Sequence, residues 1–137
     1  MGDDVKGIAI LAISVIALTA NGKESGSPQT SVEVKLAKAA VLEDLKDPES
    51  ARLRNLFISN SPNLKGEMMQ HLCGEINAKN AMGGYVGYRR FFADNESAMI
   101  DPGVDPGSDT MEGVKKTMFD DLYPRVCLNR TKEVKAR

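Results

Sequence analysis

The sequence predicts an α+β domain: an N-terminal amphipathic helix packed on a three- or four-stranded antiparallel sheet, with a C-terminal helix tied back by one disulfide. Three observations predict it. Apolar residues recur at helical spacing near both ends of the charged part of the chain. Between those ends, residues 53–59, 70–78 and 85–92 alternate or are rich in β-branched and aromatic side chains, separated by Gly, Asn and Pro. The two cysteines, Cys73 and Cys127, fall in the sheet region and just beyond the second helix. A chain of 137 residues suits one domain with a modest core.

Residues 7–20, GIAILAISVIALTA, are an uncharged run of fourteen. That is the length of a signal-peptide core and short of the roughly 20 residues that span a bilayer. Residues 1–20 are therefore expected to be a signal peptide, with an inner-membrane anchor touching lipid through residues 7–20, or a buried helix of a soluble protein, as the alternatives. Asp3 and Asp4 outweigh Lys6, which is atypical of an export leader. Residues 21–29, NGKESGSPQ, read as a flexible linker. A single α+β domain is assigned to residues 30–128 and a basic tail, expected to fray, to residues 129–137.

Thr30 and Glu33 have capping-box spacing, and Val34, Ala37, Val41 and Leu45 follow on one helical stripe. Pro48 disfavours helical geometry at Asp47, so the helix is expected to stop there and a turn or single-turn helix to begin. Residues 60–66, NSPNLKG, read as a loop. Residues 70–78 and 85–92 read as a hairpin with a long connection. Gly83, Gly84 and Gly87 mark positive φ, a bulge or close backbone approach. Residues 101–107, DPGVDPG, are a loop. Asp109 and Glu112 again have cap spacing, and Met111, Val114, Met118 and Leu122 form the apolar stripe of the second helix, which Pro124 should end.

Eighteen basic and nineteen acidic side chains nearly cancel, so no global field selects nucleic acid or an anionic membrane. The acidic stretch 94–121 and the basic stretch 125–137 read as solvated segments. His71 is the single histidine, which excludes histidine-rich metal sites. His71 and Cys73 lie two apart on a strand and point the same way, yet a disulfide-bonded cysteine has no thiolate to attack with. Asp101, Asp105 and Asp109 are four apart, unlike a calcium loop. Lys79, Arg89 and Arg90 interleave with Tyr85, Tyr88, Phe91 and Phe92. The spacing matches no RNA-binding signature, and most of these rings are needed for a core in a chain without tryptophan. No phosphate-binding loop, dinucleotide fingerprint, nucleophile elbow or zinc spacing is present. No catalytic set, metal or cofactor is assigned.

Two cysteines and an export-like segment make a Cys73–Cys127 disulfide the economical reading, with two buried thiols as the alternative. It would close a loop of about 55 residues, worth roughly 4 kcal/mol in the chain-entropy model.

The segments LKDPESA (residues 45–51) and CGEINAKNAMGGYVGYRRFF (residues 73–92) resemble a group of small, uncharacterised bacterial and prophage-encoded exported proteins. These pair an LKDP-S-A turn with a CGE-NAKN--GGY-GY hairpin behind a leader. The resemblance spans about residues 41–92. It implies an exported domain with a disulfide-bonded cysteine, and no particular reaction.

The function expected is a non-enzymatic envelope protein, periplasmic or secreted, that binds another envelope protein or a cell-wall component, with no nucleic-acid partner. The alternatives are a virion or assembly component, or a small thiol-dependent hydrolase using Cys73, His71 and Glu75. The binding candidates are Asn77, Lys79, Asn80, Tyr85, Tyr88 and Arg90, around the hairpin connection.

Overall fold

The computed structural model describes residues 31–104 and 109–136. The leader, the linker and the Thr30 cap lie outside the described residues. Within them the domain is α+β, with two helices, a five-stranded antiparallel sheet and a Cys73–Cys127 disulfide.

Helix α1 covers Val34–Glu43. Its cap position is Glu33, whose side chain makes no capping bond. Asn95, in the turn at residues 94–97, takes over that work: its Oδ1 accepts the Glu33 N–H at 2.6 Å, and its Nδ2 donates to the Ser31 carbonyl at 3.1 Å. The helix stops short of Asp47, which instead caps a single 3-10 turn at Pro48–Ser50 by accepting the Ser50 N–H. Pro48 at the first position of that turn loses no hydrogen bond.

The strands are β1 (Arg52–Pro62), β2 (Met68–Asn77), β3 (Arg89–Ala93), β4 (Ala98–Ile100) and β5 (Arg130–Val134). Their order in the sheet is β4-β3-β2-β1-β5. Three hairpin turns are organised by one acceptor side chain each: Asn63, Asn80 and Asp94 take the N–H groups of residues two to four further on. Two expectations are corrected here. The strand after the glycines begins at Arg89 rather than Tyr85, and residues 78–88 are a long loop pinned by a single Lys79–Tyr85 bridge. The basic tail is not frayed: Arg130–Val134 pairs antiparallel with β1 and adds a fifth strand.

Alternation along the strands sorts the two faces. On one face Leu56, Leu72, Ile76, Phe91 and Ala93 pack with Val32, Ala37 and Val41 at α1. Gly74 belongs to this face; a Cβ there would lie 2.5 Å from Leu56 Cδ2 and 3.2 Å from the Arg54 carbonyl and Phe91 Cε1. The backbone approach therefore requires glycine. On the other face Phe57, Cys73 and Phe92 meet Tyr123, Val126 and Cys127.

Helix α2, Met111–Val126, covers part of that second face. Its N-cap is Thr110, which accepts the Gly113 N–H, and it runs two residues beyond Pro124. The expected apolar stripe is not the buried one. Met111, Val114 and Met118 are 67%, 53% and 49% exposed, whereas Gly113 and Phe119 are buried. The helix docks through an aromatic stack instead, Phe92 on Phe119 at 5.8 Å and Phe119 on Tyr123 at 5.2 Å. A closed set of ion pairs joins Arg90 and Lys116 to Asp101 and Asp120 at 2.6–3.3 Å. The disulfide adds a covalent anchor. These fixed points outweigh the few apolar contacts the Met-Val-Met stripe would have made.

No helix among the described residues is long and apolar enough to cross a membrane.

Candidate functional site

The end of the second sheet face beyond α2 is open, and most of the expected binding residues gather there. Alternation puts Arg52 and Arg54 of β1, Glu75 and Asn77 of β2, and Arg90 of β3 on this face. The register sets them in rows: Asn77 opposite Arg52, and Arg90, Glu75 and Arg54 side by side across three strands.

Residues 78–88 fold over this face because the backbone is turned twice at positive φ, at Gly83 (+80°) and Gly87 (+94°). Asn80 shapes the loop tip; its Oδ1 accepts the Met82 and Gly84 N–H groups, both at 3.0 Å. The loop is moored to the 3-10 turn. Ser50 Oγ donates to the Asp47 carbonyl and accepts the Lys79 N–H at 2.9 Å, and the Tyr85 hydroxyl donates to the Ser50 carbonyl at 3.2 Å. Residues 45–51 and the loop 78–88 thus meet at Ser50.

Two tyrosines are laid on two arginines. The Arg52 guanidinium lies 4.6 Å from the Tyr85 ring centre, and that of Arg54 lies 3.6 Å from the Tyr88 ring centre. Lys79 approaches Tyr85 at 5.8 Å. Exposed contacts of this kind contribute about 0.5–1 kcal/mol each, so they arrange the surface more than they hold the fold together. Tyr85 and Tyr88 remain 40% and 38% exposed.

Beneath Tyr88 the backbone is irregular. The β1–β2 register shifts between Arg54 and Phe57, and Asn55 in the bulge has φ of 52°. Asparagine tolerates this left-handed geometry better than most residues, and bulges of this kind re-aim side chains. Here the bulge brings Asn55 Nδ2 to Glu75 Oε2 at 2.9 Å, while Arg54 Nε reaches the same oxygen at 2.6 Å. Asn77 Oδ1 is buried and has no hydrogen-bond partner among the described residues. A positive-φ asparagine and an unsatisfied buried amide oxygen, on adjacent strands, each carry an energetic cost.

The structure sorts the expected residues. Lys79, Tyr85 and Tyr88 share the surface with Asn77, while Asn80 spends its side chain on the loop. Arg90 stands at the border, bonded to Asp101 and Asp120 and lying 4.9 Å from the Tyr123 ring centre. Arg52, Arg54 and Asn55 were missed. The signal was present, since Arg52 and Arg54 alternate with Leu53 and must share a face.

Cys73 is fully buried in its disulfide and His71 packs edge-on against Phe92 at 6.4 Å. Burial pushes the His71 imidazole below its ordinary pKa, although nearby Asp94 pulls the other way. With Cys73 oxidised the pair offers no thiol. Among the described residues no group of three His, Cys, Asp or Glu side chains is placed to hold a metal ion.

No protein-family model matches the chain, and no curated protein or solved structure is significantly similar to it.

Proposed function

We propose that the chain is a non-catalytic binding domain of the cell envelope that engages a protein partner through the open sheet face at Arg52, Arg54, Tyr85 and Tyr88. The observation that carries this reading is the pair of tyrosines laid on arginines beside the strained Asn55 bulge. Tyrosine and arginine dominate interface hot spots because each combines large contact area with directed polar groups. The surface is cationic, with no carboxylate paired to Arg52 or Lys79 among the described residues, which favours an acidic patch on the partner. The disulfide is consistent with a periplasmic or extracellular setting, where such bonds persist. The alternative of a virion or assembly component rests on residues 1–20, outside the described residues.

A photo-crosslinker at exposed Val86, on the disulfide-intact protein added to envelope extract, tests the reading. A discrete protein adduct is expected with the native surface and with Met118→Ser on α2, and its loss in Arg54→Ala/Tyr88→Ala. An adduct indifferent to the Arg54 and Tyr88 substitutions would place the contact elsewhere. Selective capture of cell-wall glycan in place of protein would replace a protein partner with a wall component.

A further inference from the structure

A second site, which shares Lys79 with the tyrosine surface, lies at the same end of the sheet but on the α1 side. It is an open cleft of about 690 Å³ between the end of α1, the ends of β2 and β4, and the start of α2. Ile76 and Ala78 are buried in its floor, flanked by Leu45, Ala98 and Ile100. Lys46, Lys79, Arg89 and Lys115 line it, against Asp44, Asp101 and Glu112. The Asp101 carboxylate is already occupied: one oxygen accepts the Gly103 N–H and the other takes Arg90 and Lys116. None of the four lining cations has a carboxylate partner among the described residues.

Arg89 is the unusual member. It is half-buried, and its Nη1 donates to two backbone carbonyls, Asp101 at 3.4 Å and Pro102 at 3.0 Å. Its stem runs against Gly103, where a Cβ would come within 3.1 Å of Arg89 Cδ. The loop thus cradles the guanidinium and fixes its direction. The Nε and Nη2 donors, the parallel edge that matches a carboxylate bidentately, have no partner among the described residues. An arginine held in this way, lining a cleft with an apolar floor and with its Nε/Nη2 edge unused, has the donor geometry that recognises a carboxylate.

We propose that this cleft binds an amphipathic organic acid, its carboxylate on the Nε/Nη2 edge of Arg89 and its apolar body on Ile76, Ala78, Ala98 and Ile100. Lys46, Lys79 and Lys115 supply the surrounding positive field.

The test is an amide-shift titration of the disulfide-intact protein by NMR, with acetate, octanoate and decanoate, and octanol as the uncharged control. Saturable shifts confined to residues 44–46, 76–81 and 98–103 are expected with octanoate and decanoate, at an affinity at least about tenfold above acetate or octanol. Arg89→Gln should weaken decanoate about tenfold or more. Because that change also disturbs the 101–103 loop, exposed Lys46→Gln/Lys115→Gln provides a second reading and should weaken it several-fold in a folded protein. Equal binding of octanol, shifts centred on Tyr85 and Tyr88, or no saturation at millimolar acid would each overturn the proposal. Since the tyrosine surface is probed by crosslinking at Val86, failure of either site leaves the other standing.

Discussion

At the scale of single residues, the positions that matter most are those where the backbone leaves no choice. Gly74 sits where β1 and β3 press on β2, and any side chain there meets Leu56 and Phe91 in the core and the Arg54 carbonyl outside it. Gly74→Ala is expected to cost about 1–3 kcal/mol, the usual range for overpacking a tight core. Urea unfolding of the disulfide-intact protein measures this, and a change within about 0.5 kcal/mol would show that Leu56 yields freely. Asn80 and Asn63 are the opposite case, since their turns are readable from sequence: a short amide side chain replaces the backbone bonds a hairpin loop lacks. Gly74 was not so readable. Its neighbours come from strands some twenty residues away on either side.

At the scale of elements, α2 is the instructive one. Of its expected apolar stripe, Met111, Val114 and Met118 face solvent and Leu122 is half-buried, because the helix docks through contacts that hydropathy does not register. The Arg90–Asp101–Lys116–Asp120 set ties it to β3 and to the loop after β4. Burial opposes ionisation of Asp101, but hydrogen bonds from Gly103, Arg90 and Lys116 outweigh it and hold the carboxyl below the ordinary value of 3.8. Between the folded and unfolded values the unfolded chain binds the proton more readily, so this stabilisation is present above pH 3.8 and is lost as pH falls through the folded value. Asp101→Asn is therefore expected to lower stability near neutral pH by about 1–3 kcal/mol and to flatten the acid limb of the stability curve. Thermal melts between pH 2 and 7 read both effects. A parallel downward shift with the acid limb unchanged would assign the titration to another carboxyl. Strand β5 was illegible for a related reason. Its side chains are exposed except for the half-buried Val134, so nothing in RTKEV alternates strongly, and the strand exists because β1 offers an unpaired edge.

At the scale of the whole molecule, the disulfide joins the central strand β2 to the residue that ends α2, across a sequence separation of 54. It clamps the layer that has the least apolar packing, since α2 buries only Gly113 and Phe119 fully. Closing a loop of that length contributes roughly 4 kcal/mol by constraining the unfolded chain. Cys73→Ala/Cys127→Ala is expected to lose most of that and to release α2 from the sheet, seen as a lower urea midpoint and raised amide exchange at residues 111–126. Unchanged exchange in α2 would mean that the aromatic stack and ion pairs suffice alone. Both candidate sites lie at one end of the sheet, with Lys79 lining the cleft while approaching the Tyr85 ring on the other face.

Legible in the chain alone were the first helix, the cores of the first two strands and the turns set by Asn, Asp, Gly and Pro, whereas the Cys73–Cys127 bond, across a separation of 54, was an economical reading that the fold bears out. The legible elements follow from short-range geometry, in which side-chain period, caps and positive-φ positions are encoded within a few residues. The tertiary structure decided the fifth strand, the face α2 shows to the sheet, the Asn55 bulge and the union of Ser50, Arg52 and Arg54 with Tyr85 and Tyr88. Those depend on strand register and on contacts between residues distant in sequence, where burial and cross-strand contact, rather than local periodicity, settle which side chains meet.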